Sequence, residues 1–379
     1  MRLVPGLLRP RAAVWAAFLA NGMAIGAWAA SVPPIQRRFG LDAGSLGLVL
    51  LALAVGAITA MVLAGGIVGR LGSARVTLIS AGVLGIALPL PLLAPTAGLL
   101  ALGIGLIGLV SGTLDVAMNA QATEVERLHG RPLMSSFHAG WSIGGLLGAV
   151  CAGQVGLGLS ALPVLALALG ASLLGGLPDA PYRPVGEARA GRAPRLAWPR
   201  RSMLGLCLLA GACMLVEGAM ADWSGIYMRD FARAPAALGF AAFSLAMTAG
   251  RLGGDALVRR TGMARTVRGG GLVAAGGVAL ALAWPGAATG AVGCFLVGLG
   301  LANVVPVVFS AAGNSGAAPP ATAIAMVSTI GYGGFLLGPP GIGFLAGEVG
   351  LRAALLAVVA ACLATAFLAR TIRPYTKPL

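Results

Sequence analysis

Charge is what this sequence lacks most. Only 10% of its 379 residues are Asp, Glu, Lys or Arg, whereas 58% are hydrophobic and the mean hydropathy is +0.92. A soluble core of this length does not require so much apolar sequence, so the composition predicts a protein of the lipid bilayer. The net charge of +15 would indicate a nucleic-acid partner in a soluble domain. Here the placement of the arginines accounts for it, and we expect no nucleic-acid partner.

Patterns that bind cofactors or metals are also missing. The only histidines are His129 and His138, and none of the five cysteines belongs to a C-x-x-C pair, so we predict neither a metal site nor a disulfide framework. A nucleotide loop of the form G-x-x-x-x-G-K-[ST] is absent as well. A transporter without an ATP site must use a gradient, so we expect no cofactor and a proton gradient as energy source. An enzyme or receptor within the membrane is a distant alternative.

Long apolar segments fill the chain, and a bilayer core about 30 Å thick needs about 20 apolar residues per helix. Twelve segments of this length are 11–32, 44–66, 75–95, 97–120, 132–156, 158–178, 202–226, 235–257, 266–285, 287–310, 321–346 and 350–370. The fold class predicted is therefore an all-α polytopic membrane protein. The first segment has an alternative interpretation as a signal peptide, since arginines precede it and Ala27-Trp28-Ala29 resembles a cleavage site. Cleavage would leave eleven helices.

The two halves of the chain match at a constant spacing. Arg70-x-Gly72-x-Ala74-Arg75 recurs 190 residues later as Arg260-x-Gly262-x-Ala264-Arg265, and Gly144 to Gly148 recurs as Gly334 to Gly338. Between the halves lies a polar stretch with six arginines among prolines, which disfavour a regular helix. We therefore predict two six-helix bundles, at 1–178 and 202–379, joined by a linker at 179–201.

Basic residues are distributed unequally between the two sides of the predicted membrane. With the amino terminus inside, 21 of the 26 lysines and arginines fall on the cytoplasmic side. The other five are Arg37, Arg38, Arg229, Arg233 and Arg352. Positive residues accumulate on the cytoplasmic side of membrane proteins. This bias predicts a multi-pass protein of the inner membrane with both termini and the linker in the cytoplasm.

The loop after the second segment carries a motif with a known relative. It runs from Gly65 to Arg75 and resembles the G-x-x-x-D-R-x-G-x-x-R signature of the major facilitator superfamily, with Gly69 where the family commonly has an acid. The resemblance implies a conformational role for Gly65, Arg70, Gly72 and Arg75 and for their echo Arg251, Asp255, Arg260, Gly262 and Arg265. Arg251 and Asp255 are four residues apart and can pair on one helix face. The alternative is that these arginines only anchor the loops to anionic lipid.

Acidic residues within the apolar segments are the candidates for proton coupling. A charge at the bilayer centre costs about 2.5–3.5 kcal/mol on insertion scales, so such residues usually face a cavity. Asp115 shares a helix face with Asn119, and His138 falls at about the same depth in the next segment, where Ser135, Trp141 and Ser142 continue its stripe. The alternative is a structural hydrogen bond without a role in transport. Glu217 is the second candidate for proton coupling. The position of Asp222 fits a structural anchoring role and a functional role equally.

The Asp-x-x-x-Asn pattern in the fourth segment resembles the fucose-permease-like sugar/proton symporters. The resemblance implies that Asp115 carries the proton and that Asn119 contacts a sugar-like solute. Two features depart from it: Ala120 follows the asparagine where proline is common, and the first segment offers Asn21 in place of an acid.

Further residues predicted to contact substrate in a midplane cavity are Asn21, Trp28, Trp141, Asn303 and Tyr332. Pro306 and the Pro339-Pro340 pair are expected to bend their helices. We predict a monomeric secondary transporter for a small polar solute, coupled to protons. A proton-driven exporter of drugs or metabolites is the alternative.

Overall fold

The computed structural model describes residues 8–41, 43–155 and 200–372, and within them the regular elements are all helices. They separate into two compact units, the first made of 8–131, 137–155 and 318–325, the second of 132–136, 200–317 and 326–372. The sixth predicted segment, 158–178, and the linker at 179–201, apart from Arg200 and Arg201, lie outside the described residues. The predicted domain boundaries there stay predictions.

Six helices precede the undescribed stretch. Their bounds are α1 Leu8–Phe39, α2 Ala43–Leu71, α3 Ser73–Ala87, α4 Leu90–Leu93, α5 Ala97–His129 and α6 Met134–Val155. The third predicted segment is divided into α3 and α4 because Pro89 and Pro91 cannot donate backbone hydrogen bonds. Each of the first five predicted segments therefore corresponds to helix.

Eight α-helices follow Arg200. Their bounds are α7 Leu204–Asp230, α8 Ala236–Thr261, α9 Met263–Ala283, α10 Ala287–Leu301, α11 Val304–Gly313, α12 Pro320–Val349, α13 Leu351–Ala354 and α14 Leu356–Leu368. The predicted break at Pro306 is confirmed, since α10 and α11 are separated by Ala302 and Asn303. α12 stays helical through Pro339 and Pro340. Eight spans of the described chain are long and apolar enough to cross a membrane.

The two copies of the loop motif have the same backbone. Gly72 joins α2 to α3 with φ 85°, and Gly262 joins α8 to α9 with φ 83°. A side chain is strained at such a positive φ, which is why glycine occupies both turns. Each glycine N–H also closes the preceding helix at 2.8 Å, on Val68 O and Val258 O respectively. The 190-residue sequence match therefore corresponds to a structural match.

Equivalent glycines pack equivalent helices closely. A Cβ at Gly144 of α6 would clash with the carbonyl of Leu19 in α1, and one at Gly334 of α12 would clash with that of Gly211 in α7. Such small residues let helix backbones approach, which membrane helices need because lipid gives no hydrophobic drive for association.

Two of the five arginines predicted to lie outside the cytoplasmic side cap equivalent helix ends. Arg38 donates to the carbonyls of Leu92 and Ala94, and Arg352 donates to Leu282 O at 2.5 and 3.0 Å. Leu92 and Leu282 are again 190 residues apart. A cation at the carbonyl end of a helix typically contributes about 0.3–1 kcal/mol.

Candidate functional site

A buried run of polar side chains connects α5 and α6 in the first unit. Asp115 and Asn119 are one turn apart on α5, and His138 belongs to the second turn of α6. Their exposed fractions are 6%, 0% and 7%. The sequence predicts an Asp–His pair, and in the structure Asn119 lies between the two and bonds to both.

The hydrogen bonds of Asn119 fix its orientation. Its Nδ2 donates to the backbone carbonyl of Asp115 at 2.8 Å and to Asp115 Oδ1 at 3.3 Å. A carbonyl can only accept, so the amide nitrogen must be on that side and Asn119 Oδ1 must face His138. His138 Nε2 lies 3.2 Å from Asn119 Oδ1 and must therefore carry a hydrogen. The state of the other ring nitrogen then decides whether the imidazole is charged.

Apolar rings and backbone contacts hold this run in place. Phe18 of α1 meets the His138 ring edge-on, with centroids 5.1 Å apart, and stacks on Phe137 at 5.8 Å. Thr123 and Ser142 donate to the carbonyls of Asn119 and His138 at 3.0 and 3.2 Å. In such a low-dielectric setting hydrogen bonds are electrostatically stronger than in water.

A second buried polar contact joins α1 to α5. Asn21 Oδ1 accepts from Ser111 Oγ at 3.0 Å, and Asn21 Nδ2 lies 3.9 Å from Met118 Sδ. Asn21 and Trp28 are 3% and 6% exposed, whereas Trp141 is half-buried. Among the predicted substrate contacts of the first unit, Trp141 is therefore more accessible than Asn21, Trp28 or Asn119.

The second unit places an acidic residue near a buried arginine. Glu217 of α7 and the buried Arg251 of α8 interact electrostatically. Cys213, one turn before Glu217, lies with its Sγ 3.7 Å from Glu217 Oε1. An arginine buried in an apolar helix requires an acid or carbonyl partners, and here it has both.

Arg251 also donates a hydrogen bond at the break between α10 and α11. Pro306 has no N–H, so it cannot donate to the carbonyl four residues earlier, at Ala302. Arg251 Nε donates to that carbonyl at 3.3 Å. A buried carbonyl left without a donor is costly, so the arginine stabilises a helix break that Pro306 creates.

Asn303 occupies the break and packs on α8. Its Nδ2 donates to Gly250 O at 3.1 Å, while its Oδ1 is buried without a hydrogen-bond partner. A Cβ at Gly254 would overlap Asn303 Oδ1, so only glycine admits this side chain. Tyr332 of α12 is half-buried.

The loop-motif residues lie at the helix ends and just inside them. Gly65 is buried in α2, and Arg70 and Arg75 are exposed on either side of Gly72; Arg260 and Arg265 are likewise exposed around Gly262. Asp255 accepts a hydrogen bond from the backbone N–H of Ser136 at 3.3 Å, within the second unit.

The environment of Arg251 is what the sequence analysis missed. The sequence pairs it with Asp255 on its own helix, and the structure adds Glu217 and Ala302 as neighbours. A signal was available, because an arginine well inside an apolar segment needs an intramembrane acid. Of the three acids in α7, Glu217 is half-buried, whereas Asp222 and Asp230 are exposed.

Comparisons with known proteins agree with this architecture. A model of the Major Facilitator Superfamily matches residues 14–332. An uncharacterized MFS-type transporter of Yersinia pestis is 37% identical over 370 residues, covering 94% of both chains. An uncharacterized transporter of Sinorhizobium fredii is 37% identical over 93% of this chain and 98% of its own. The membrane protein MosC of Rhizobium meliloti is 33% identical over 94% of this chain and 88% of its own.

Solved structures share the fold at low identity. The E. coli fucose:proton symporter FucP superposes with a TM-score of 0.82 and 16% identity, covering 97% of this chain and 99% of its own. The human organic anion transporter MFSD10 gives 0.72 and 15%, covering 96% and 99%. With the matched family model and the two bundles, these comparisons establish that the chain belongs to the major facilitator superfamily and is a multi-pass membrane transporter.

Proposed function

We propose that this transporter moves a small polar solute by proton-coupled alternating access. The supporting observation is the buried Asp115–Asn119–His138 run, in which an amide bonds to both a carboxylate and an imidazole. These are groups that exchange protons near neutral pH when their surroundings favour it. Coupling requires that substrate bind preferentially to one protonation state, and a solute bonded near this run satisfies that requirement.

The solute we propose is sugar-like. FucP is a fucose:proton symporter, and at 16% identity it shares the fold only, so the substrate class rests on the residues of this chain. The proposed contacts are Asn21, Trp28, Asn119, Trp141, Asn303 and Tyr332. Amides both donate and accept, as a hydroxylated solute needs, and indole and phenol rings can stack on a sugar face. Trp141 and Tyr332 are both half-buried.

Asp115→Asn tests the proton-coupling proposal. The substitution keeps the shape of the side chain and fixes the neutral state. A thermal-shift screen of sugars, amino acids and drugs first identifies a ligand, and vesicles then report its uptake. We expect Asp115→Asn to abolish uptake driven by a pH gradient while exchange of labelled for unlabelled substrate persists, because exchange needs no net proton release.

The control is Glu124→Gln, which removes an acid of the same helix that pairs with Arg127 at 2.7 Å. It should transport normally. Accumulation by Asp115→Asn against a substrate gradient would contradict the proposal and make Glu217 the next candidate. Loss of both uptake and exchange in a folded protein would place Asp115 in substrate binding. Proton-driven efflux from the cell would favour the exporter alternative.

We further propose that the protein lies in the inner membrane with both termini cytoplasmic. Cysteines at the exposed repeat positions Arg75 and Arg265 should then be protected from a membrane-impermeant maleimide added outside cells. Cysteines at Ala97 and Ala287, also exposed and 190 residues apart, should react. Reaction of either arginine position from outside would overturn this orientation. The proton gradient as energy source and the monomeric state belong to the same proposal.

A further inference from the structure

The second unit contains a cavity of about 670 Å³ that shares one lining residue, Asn303, with the proposed substrate contacts and has no other part in the transport proposal. It lies between the end of α8, the start of α9 and the end of α10. This volume falls within the range of about 300–1,000 Å³ typical of small-molecule sites.

One end of the cavity is basic. Arg260 and Arg265 line it from either side of the Gly262 turn, and both are exposed. Thr261 and Thr266 also line this end, with their hydroxyls bonded to the carbonyls of Leu257 and Gly262 at 2.9 and 2.8 Å. Since those hydroxyls are engaged within the turn, two guanidinium groups supply the recognition. Guanidinium groups suit phosphate in charge and geometry.

The remainder of the cavity is apolar and open. Leu257, Val273 and Leu299 form its walls and are 44%, 42% and 41% exposed. A Cβ built at Gly253 or Gly269 would have no atom within 4 Å. A groove of this kind in a membrane protein can hold an acyl chain, so the cavity matches an amphiphile with an anionic head.

The first unit keeps the arginines but has large side chains at the positions of the groove glycines. Arg70 and Arg75 are the repeat counterparts of Arg260 and Arg265, but Leu63 and Ile79 stand where the second unit has Gly253 and Gly269. Leu63 and Ile79 are 45% and 57% exposed. The loop motif itself therefore does not require glycine at these positions, and the two glycines of the second unit need their own explanation.

We propose that this groove binds one anionic phospholipid. The phosphate lies between Arg260 and Arg265, and an acyl chain runs along Gly253 and Gly269. A free phosphate compound would use the basic end only and would leave the apolar groove without a role.

Native mass spectrometry of the full-length protein in detergent tests the proposal. Phosphatidylglycerol, phosphatidylcholine and glycerol 3-phosphate are titrated separately, and the Kd of the first bound molecule is measured. We expect phosphatidylglycerol to bind most tightly. The double variant Arg260→Gln with Arg265→Gln should weaken phosphatidylglycerol binding about 30-fold, which is the contribution expected of two arginines at a membrane surface. The double variant Gly253→Leu with Gly269→Ile should weaken phosphatidylglycerol binding about tenfold. That factor corresponds to about two acyl methylenes that the new side chains exclude from the groove.

Matched variants separate a site from general surface charge. Arg70→Gln with Arg75→Gln removes the same charges from the first-unit copy, where Leu63 and Ile79 replace the glycines, and should leave the phosphatidylglycerol Kd within about threefold. Gly276→Leu adds a side chain at an open, exposed position of α9 outside the cavity and should have no effect. Equal losses in both arginine pairs, equal binding of phosphatidylcholine, or equal binding of glycerol 3-phosphate would each overturn the proposal. Thermal unfolding confirms that every variant is folded.

Discussion

Helix α5 of the first unit and its counterpart in the second unit differ in continuity. α5 is continuous over Ala97–His129, whereas the equivalent stretch of the second unit is divided into α10 and α11. The difference traces to one repeat position, where the first unit has Val116 and the second has Pro306. Pro306 removes a backbone donor, and Val116 does not.

A second repeat position compensates for the proline. Arg251 donates to the carbonyl that Pro306 leaves without a helical donor, and its counterpart in the first unit is Met61. The break and its cap therefore occur together in one unit and are both absent from the other. The two copies of a repeat can therefore keep the same helix order and turn geometry while their polar interiors differ.

The polar interiors differ in kind as well as in place. The first unit joins a carboxylate to an imidazole through a neutral amide, all on α5 and α6. The second places a permanent cation on α8 next to a carboxylate on α7. Arginine stays protonated throughout the physiological range, whereas imidazole does not. The first unit is therefore better suited to carry a proton, and the second to hold a charge in place.

The largest effect is expected from giving the first unit the proline of the second. Val116→Pro should destabilise the protein by more than about 3 kcal/mol, because the Gly112 carbonyl loses its donor and Met61 cannot replace it. The reciprocal change Pro306→Val supplies a donor and should cost far less. Thermal or denaturant unfolding of the two variants in detergent measures both. Equal stability of Val116→Pro and the parent would show that the first unit tolerates the proline without an arginine cap.

Giving the second unit the methionine of the first should have a somewhat smaller effect. Arg251→Met removes the partner of Glu217 and the donor to Ala302 O, at a cost of about 3 kcal/mol. Glu217→Gln added to Arg251→Met should recover part of that loss, which a double-mutant cycle quantifies. Arg259→Met, at an exposed arginine of the same helix, is the control. If Arg259→Met lowers the free energy of unfolding as much as Arg251→Met does, the buried interactions of Arg251 do not explain the loss of stability.

How much of this could be predicted depends on the range of each interaction. The helices, the repeat and the glycine turns follow from local signals: apolar length, the 190-residue match and the positions of Gly72 and Gly262. Asp115 and Asn119 lie on one turn, so their proximity was also predictable. The insertion of Asn119 between Asp115 and His138 was not, because it depends on how α6 packs. The same holds for Arg251, whose neighbours come from α7 and from the break before α11.

The smallest effect in the comparison concerns the two buried asparagines. Asn119→Ala leaves Asp115 and His138 without the amide that joins them and should cost about 1–3 kcal/mol. Asn303→Ala in the second unit loses one bond, to Gly250 O, and removes an oxygen that has no partner. It should cost about 1 kcal/mol or less. Unfolding measurements on the two single variants test this order, and a larger loss for Asn303→Ala would reverse it.

Substrate affinity then separates the two roles open to Asn119. Both ends of its amide are engaged within the protein, so a purely connecting role predicts lower stability and a changed pH dependence of transport with unchanged substrate binding. A direct contact predicts that affinity falls by about 1–3 kcal/mol as well, as for any buried partner left unpaired.

Asn119→Asp keeps the size of the side chain and replaces the donor that faces Asp115 with a second acid. Two carboxylates then face each other across one turn, and like charges there repel. If Asn119 connects Asp115 to His138, Asn119→Asp should disturb the pH profile more than Asn119→Ala does, and an identical profile in both variants would exclude the connecting role.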